Sequence, residues 1–311
     1  MAGMAGMAGM AGMAATTGPV RAAVLGRPGC GRRTVARALH AAGVMVAGPD
    51  DAADVDVYVF TETLKPEDRA ALSSPPGPRV AILNKADLAG FGGDGPVATA
   101  AARCELLQQS VAMPIHPLAA LAAVAALDDT VIDGAVLAAL RVLTGEPANL
   151  GSTDGFLTGA HRLPRGVRQR LLTELDLFGI AHAVVALREG ADRAGLAAAL
   201  RRASGLDAVL AAIGRATAPV RYRRVAEVGA SQPVDDAAMA ARMSAAIEVV
   251  EAAGMAVDRG DDADAYLRRA VLWQRYARGP VSELHRRCAD DIVRGSLRLW
   301  EQAGGVPEAV A

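Results

Sequence analysis

Apolar residues in the first part of the chain come in short runs, interrupted at most by a single charged residue or His. They are Val20–Leu25, Val55–Phe60, Val80–Leu83 and the stretch around Met113–Leu118, each closed by Gly, Pro or polar residues. Runs of that length predict strands buried on both faces, as in a parallel sheet. Between them, Arg33–Ala42 and Lys65–Leu72 read as helices, and the segment from Gly43 to Asp54 has room for one short strand and an acidic turn. Alternating strands and helices predict an α/β fold. After Leu143 only helical spacing remains, over Arg165–Leu177, Ile180–Glu189, Arg193–Ser204, Leu206–Ala216, Val220–Val228, Asp235–Ala253, Asp262–Ala277 and Val281–Gln302. Gly179, Gly190, Gly205 and Gly254 mark breaks, Pro164 and Pro280 mark starts, and Asp261-Asp262 places negative charge at a helix entrance. The Gly-rich stretch 144–155 is the expected linker, so the chain divides into residues 1–18, an α/β domain 19–143, and a helical domain 156–311.

Two loops in the α/β part carry candidate chemistry. The first follows the Val20–Leu25 strand and reads Gly26-Arg27-Pro28-Gly29-Cys30-Gly31-Arg32-Arg33-Thr34. Glycines at 26, 29 and 31 let backbone N–H groups turn inward, and the next helix adds its N-terminal dipole, which is the frame of a phosphate-binding loop. Arg32 and Arg33 stand where that pattern has a lysine and a magnesium-binding hydroxyl, and the hydroxyl comes only at Thr34. A planar guanidinium does not replace an ammonium point charge. The second loop, Asn84-Lys85-Ala86-Asp87, follows the Val80–Leu83 strand, where nucleotide-binding α/β proteins keep base-reading residues. Only Lys65 and Lys85 occur among 33 basic residues, so a lysine here stands out.

In this order the two motifs resemble those of P-loop GTPases, with phrasing nearest to bacterial Era-like and dynamin-like members, over residues 20–143. The resemblance implies a truncated G domain that binds GTP or GDP. Asp87 would accept two hydrogen bonds from the guanine edge, Asn84 would tie the loop together, and the stem of Lys85 would pack on the purine. Met113–Leu121 is similar to the strand and loop that contact the guanine O6, with Leu118-Ala119 in that place and a backbone N–H to serve. Gly26, Gly29, Gly31, Arg32, Arg33 and Thr34 would hold phosphate. Thr34 and Asp50 are the candidates to meet magnesium, although Arg32 and Arg33 leave that ion without its usual ligand pattern. Asp51 and Asp54 read either as water-mediated magnesium contacts or as parts of a solvated turn. The short segment before Val55 has no room for two switch segments and contains no Ser or Thr, so efficient hydrolysis is not expected.

Composition sets the outer limits. The chain has 311 residues, 52% of them hydrophobic, a net charge of −1 and only 3% aromatics, which suits two domains with close-packed Ala, Val and Leu cores and argues against a nucleic-acid partner. Cys30, Cys104 and Cys288 have no metal-ligand spacing and fit a reducing cytoplasm, with Cys30 read as either an activated or a buried, inert thiol. The four Met-Ala-Gly repeats read as a disordered tail, and no later window is apolar for long enough to span a bilayer. Residues 161–224 hold twelve Arg against five acids and residues 227–264 nine acids against two Arg. That asymmetry reads either as internal pairing or as a basic surface for an acidic partner or peripheral membrane contact. Two functions stay open. One is guanine-nucleotide binding with slow or no hydrolysis; the other is a nucleotide-free pseudo-GTPase whose helical domain engages a true dynamin-like GTPase or a membrane-associated complex. A kinase reading, with Arg32-Arg33 as a phosphate clamp, leaves Asn84–Asp87 without a role.

Overall fold

A computed structural model of the chain describes residues 19–48, 51–73, 77–90, 95–228 and 235–305. The Met-Ala-Gly repeats and Asp50 lie outside the described residues. Five strands, β1 Arg21–Gly26, β2 Met45–Val46, β3 Val55–Phe60, β4 Arg79–Asn84 and β5 Ile115–Leu118, form one parallel sheet in the order β2-β1-β3-β4-β5. The central strands β3 and β4 are buried along nearly their whole length, whereas β1 exposes Arg21 and Leu25 and β2 exposes Met45. Tyr58 pairs in register with Ala81, and Phe60 with Leu83. These four side chains share a core with Leu72, Ala100, Cys104 and Ile115. The connections are α1 Arg32–Ala41, α2 Pro66–Ser73, a 3-10 turn at Ala86–Leu88, α3 Pro96–Gln108, α4 Ala120–Leu127 and α5 Gly134–Gly145. The fold is therefore α/β with a parallel sheet, and the single short strand expected before Val55 is β2.

Helices α6 Thr153–Thr158, α7 Arg165–Arg188, α8 Arg193–Ser204 and α9 Leu206–Val228 follow, then α10 Asp236–Ala252, α11 Ala263–Ala277 and α12 Glu283–Gln302. Short polar side chains start most of them. Asp133, Ser152, Asp192, Asp235, Asp262 and Ser282 each accept a hydrogen bond from a backbone N–H in the first turn. Each such cap satisfies one of the donors that a helix start leaves unpaired. The break expected near Gly179 is a kink at Asp176 within α7, and the gap expected near Pro219 is closed, because Pro219 lies inside continuous α9.

The chain forms two compact units, and they divide between Ile213 and Gly214, inside α9, instead of in the 144–155 stretch. The reason is packing: α5 lies against α7, while α4 lies against both α7 and α8, so these helices complete the sheet-bearing unit. The second unit is helical, with a core of Tyr222, Ile247, Val250, Trp273, Cys288 and Ile292. Buried Asp291 accepts from the Tyr222 hydroxyl at 2.8 Å, and buried Arg269 donates to Ser296 Oγ at 2.9 Å and to the Asp258 carbonyl at 2.8 Å. Arg221 pairs with Glu248 at 2.6 Å, joining the Arg-rich and acid-rich segments internally. Among the described residues no helix is long and apolar enough to cross a membrane.

The α8–α9 junction turns on Gly205 at φ 79°, where a Cβ would stand 2.7 Å from the carbonyl oxygen of Pro117 in β5. Gly190 has φ 87° and open space around it. Gly205→Ala is expected to cost about 3 kcal/mol in urea unfolding and Gly190→Ala only about 1 kcal/mol, since both pay the left-handed strain but only the first meets backbone. Equal losses would mean that the close approach to β5 carries no weight.

Candidate functional site

The predicted loops meet at the carboxyl ends of the strands. The chain leaves β1 toward β2 on one side and returns to β3 on the other, so the crevice at the end of β1 is the topological switch point where open α/β sheets bind ligands. Gly26, Gly29 and Gly31 all have positive φ, at 134°, 84° and 84°. Gly26 lies so close to β3 that a Cβ would be 2.1 Å from the Val59 carbonyl oxygen, and a Cβ on Gly31 would be 2.3 Å from Asn84 Nδ2. The glycines are thus required by the turn and by the elements pressed against it. Gly31 caps α1 without a side-chain hydrogen bond, Arg32 and Arg33 are exposed, and Thr34 is half-buried.

Asn84 joins the two loops. Its buried amide donates from Nδ2 to the Cys30 carbonyl at 2.9 Å and accepts at Oδ1 from the Ala120 N–H at 3.3 Å. One side chain at the end of β4 therefore links the glycine loop to the start of α4. Lys85 follows in the left-handed region, at φ 58° and ψ 41°, with an exposed side chain.

Asp87 faces a residue that the spacing does not reveal. Its carboxyl hydrogen-bonds to that of Asp176, from the kink of α7. Burial raises the pKa of both groups. Asp176, further opposed by the charge of Asp87, is pushed up to about 7, so the pair shares a proton over the acidic range. Asp176 also accepts from the Phe178 N–H at 2.7 Å, and so caps the second half of α7 as the other aspartates cap their helices. Unlike them it has φ 51° and ψ −173°, a region that costs a non-glycine residue about 1–3 kcal/mol. The only sequence signal for this feature is the nearby Gly179.

At the third expected contact, Leu118 and Ala119 are fully buried, and the Ala119 N–H donates to the Ser204 carbonyl at 2.9 Å. The end of α8 thus takes the Ala119 N–H. Ser204 itself is buried, and its place in the site has no signature in the sequence.

On the other side of the glycine loop, Arg27 donates through Nε to Asp68 at 2.9 Å and 3.2 Å. Asp68 is fully buried and also accepts from the Tyr58 hydroxyl and the Lys65 N–H, each at 2.9 Å. Burial alone would raise its pKa, but these donors and the adjacent guanidinium hold it below the usual carboxylate value. Cys30 is buried, its thiol donates to the Arg27 carbonyl at 2.8 Å, and burial raises its pKa, which is the inert alternative. Asp51 and Asp54 accept from the Gly48 and Arg21 N–H groups, as turn residues do. Among the described residues no group of three or more His, Cys, Asp or Glu is arranged to hold a metal ion. Comparison with protein-family models, curated proteins and solved structures found no match.

A raised carboxyl pKa in the folded chain means that the folded state holds the proton more tightly than the unfolded state. The contribution is fully present below about pH 4 and is lost as pH rises through about 7. His182, whose pKa burial lowers, works in the opposite sense nearby, so the informative quantity is the difference between wild type and Asp176→Asn. The variant is expected to gain on wild type by on the order of 1–2 kcal/mol between pH 5 and pH 8 in urea unfolding. A difference independent of pH would show that the two carboxyls do not share a proton.

Proposed function

We propose that the sheet-bearing unit is a P-loop GTPase-like domain working without nucleotide, a pseudo-GTPase scaffold whose C-terminal helical unit engages a protein partner. The observation that carries this reading is the internal use of the base-reading groups. Asp87 is bonded to Asp176 and the Ala119 N–H to the Ser204 carbonyl, so helices of the same chain take the hydrogen bonds a guanine would need. A base entering there would have to break both contacts and leave buried partners unsatisfied, and a buried polar group without a partner costs roughly 1–3 kcal/mol. The Arg32-Arg33 pair in place of Lys and a magnesium-binding hydroxyl supports the same conclusion. The partner proposed from the resemblance is a catalytically complete dynamin-like GTPase or a membrane-associated complex containing one.

The second reading, guanine-nucleotide binding without efficient turnover, is favoured by a specific observation of its own. Asn84 joins glycine loop to base loop, and the entrance of α1 has no side-chain cap in front of its backbone donors. Titration with fluorescent GTP, GDP and ATP analogues, with and without Mg²⁺, separates the two. The expected result is no guanine-selective binding in the micromolar range. Micromolar binding confined to guanine nucleotides, weakened by about 1–3 kcal/mol in Asp87→Ala and strengthened in Asp176→Ala, would establish the second reading instead.

A further inference from the structure

Helix α11 of the C-terminal unit has two faces. Ala265, Arg269, Ala270 and Trp273 are buried within its own unit. On the opposite side Leu267, Val271 and Leu272 are 40%, 41% and 54% exposed, and with Asp264, Arg268 and Arg275 they line a shallow groove of about 440 Å³. Three large apolar side chains over little more than one turn form a patch that solvent disfavours.

The order of charges along this face says what covers it. Asp264 lies at one end and Arg275 at the other, with Leu267 and Leu272 set inside them and Arg268 and Val271 flanking the centre. The midpoints of Asp264 and Arg275, of Leu267 and Leu272, and of Arg268 and Val271 coincide between Arg269 and Ala270. A two-fold axis there would pair each residue with its counterpart in an antiparallel copy. Asp264 would meet Arg275 twice, at positions about 16 Å apart along the helix, with the leucines between them. Arg268, whose head pairs with Asp258 at 3.6 Å, would lay its aliphatic stem over Val271 of the other copy. Neither Asp264 nor Arg275 has an ion-pair partner among the described residues. A parallel copy would oppose like charges at both ends.

We propose that α11 is a homodimer surface, occupied by α11 of a second copy in antiparallel orientation. One helix face is smaller than the roughly 800 Å² per partner of a standard stable interface, so the association is weak and depends on concentration.

Sedimentation velocity on the full-length protein across the micromolar range tests this. The expected result is a reversible monomer–dimer equilibrium, weakened at least about ten-fold by Leu272→Glu, by Asp264→Arg alone and by Arg275→Asp alone. Because the charges pair across the axis, an equimolar mixture of the two single charge variants should regain the dimer, as should the double variant Asp264→Arg/Arg275→Asp. All these positions are exposed, and circular dichroism spectra like that of wild type would exclude unfolding as the cause. A protein that stays monomeric throughout would overturn the proposal, and is what a face covered by a different protein would give. A dimer that ignores the charge reversals, or whose partners do not recover on mixing, would overturn it as well.

Discussion

The site region depends on the side-chain amide of Asn84. It is buried, and it spends its donor on the glycine loop after β1 and its acceptor on the first turn of α4. Those two segments are far apart in sequence. The amide explains why Gly31 has no room for a Cβ. A carboxylate there could not donate to Cys30, and an apolar residue would strand the Cys30 carbonyl and the Ala120 N–H together.

Around that tie the two sides of the site are treated differently. Toward α2, Arg27 is drawn into a buried carboxylate cluster that needs no ligand for completion. Toward α7 and α8, Asp87 meets the Asp176 carboxyl and the Ala119 N–H donates to the Ser204 carbonyl. The entrance of α1 between them presents Arg32 and Arg33 to solvent. The loops at the strand ends are therefore held on both sides by contacts within the chain.

What could be read from the sequence follows from how local each cause is. The central strands were legible because burial on both faces leaves an almost unbroken apolar run, and the N-terminal aspartates because a cap acts within one turn. The place of Asn84 at a strand end was legible, but its two backbone partners were not. Asp176 was not, because a kinked helix and a continuous one share the same periodicity and the strain at its φ is supported by contacts from other elements. Ser204 contributes a backbone carbonyl, which every residue possesses, so no side-chain pattern could point to it. The division inside α9 was hidden for a related reason. The flexible composition of 144–155 marks a loop, but whether a loop separates domains depends on what the following helices pack against, and α7 and α8 pack back on the sheet-bearing unit.

The three cysteines give the chain an unplanned set of reporters. Cys30 and Cys104 lie in the sheet-bearing unit and Cys288 in the helical one, all three buried, with burial raising the thiols of Cys104 and Cys288 to about 12. A thiol reagent at neutral pH meets a native molecule with almost no thiolate to attack, so each modification event records an opening of the structure around that residue. The loop of Cys30, the sheet core of Cys104 and the helical core of Cys288 can then be timed separately in one unmodified protein, and a label added at any exposed position stays distinguishable from all three.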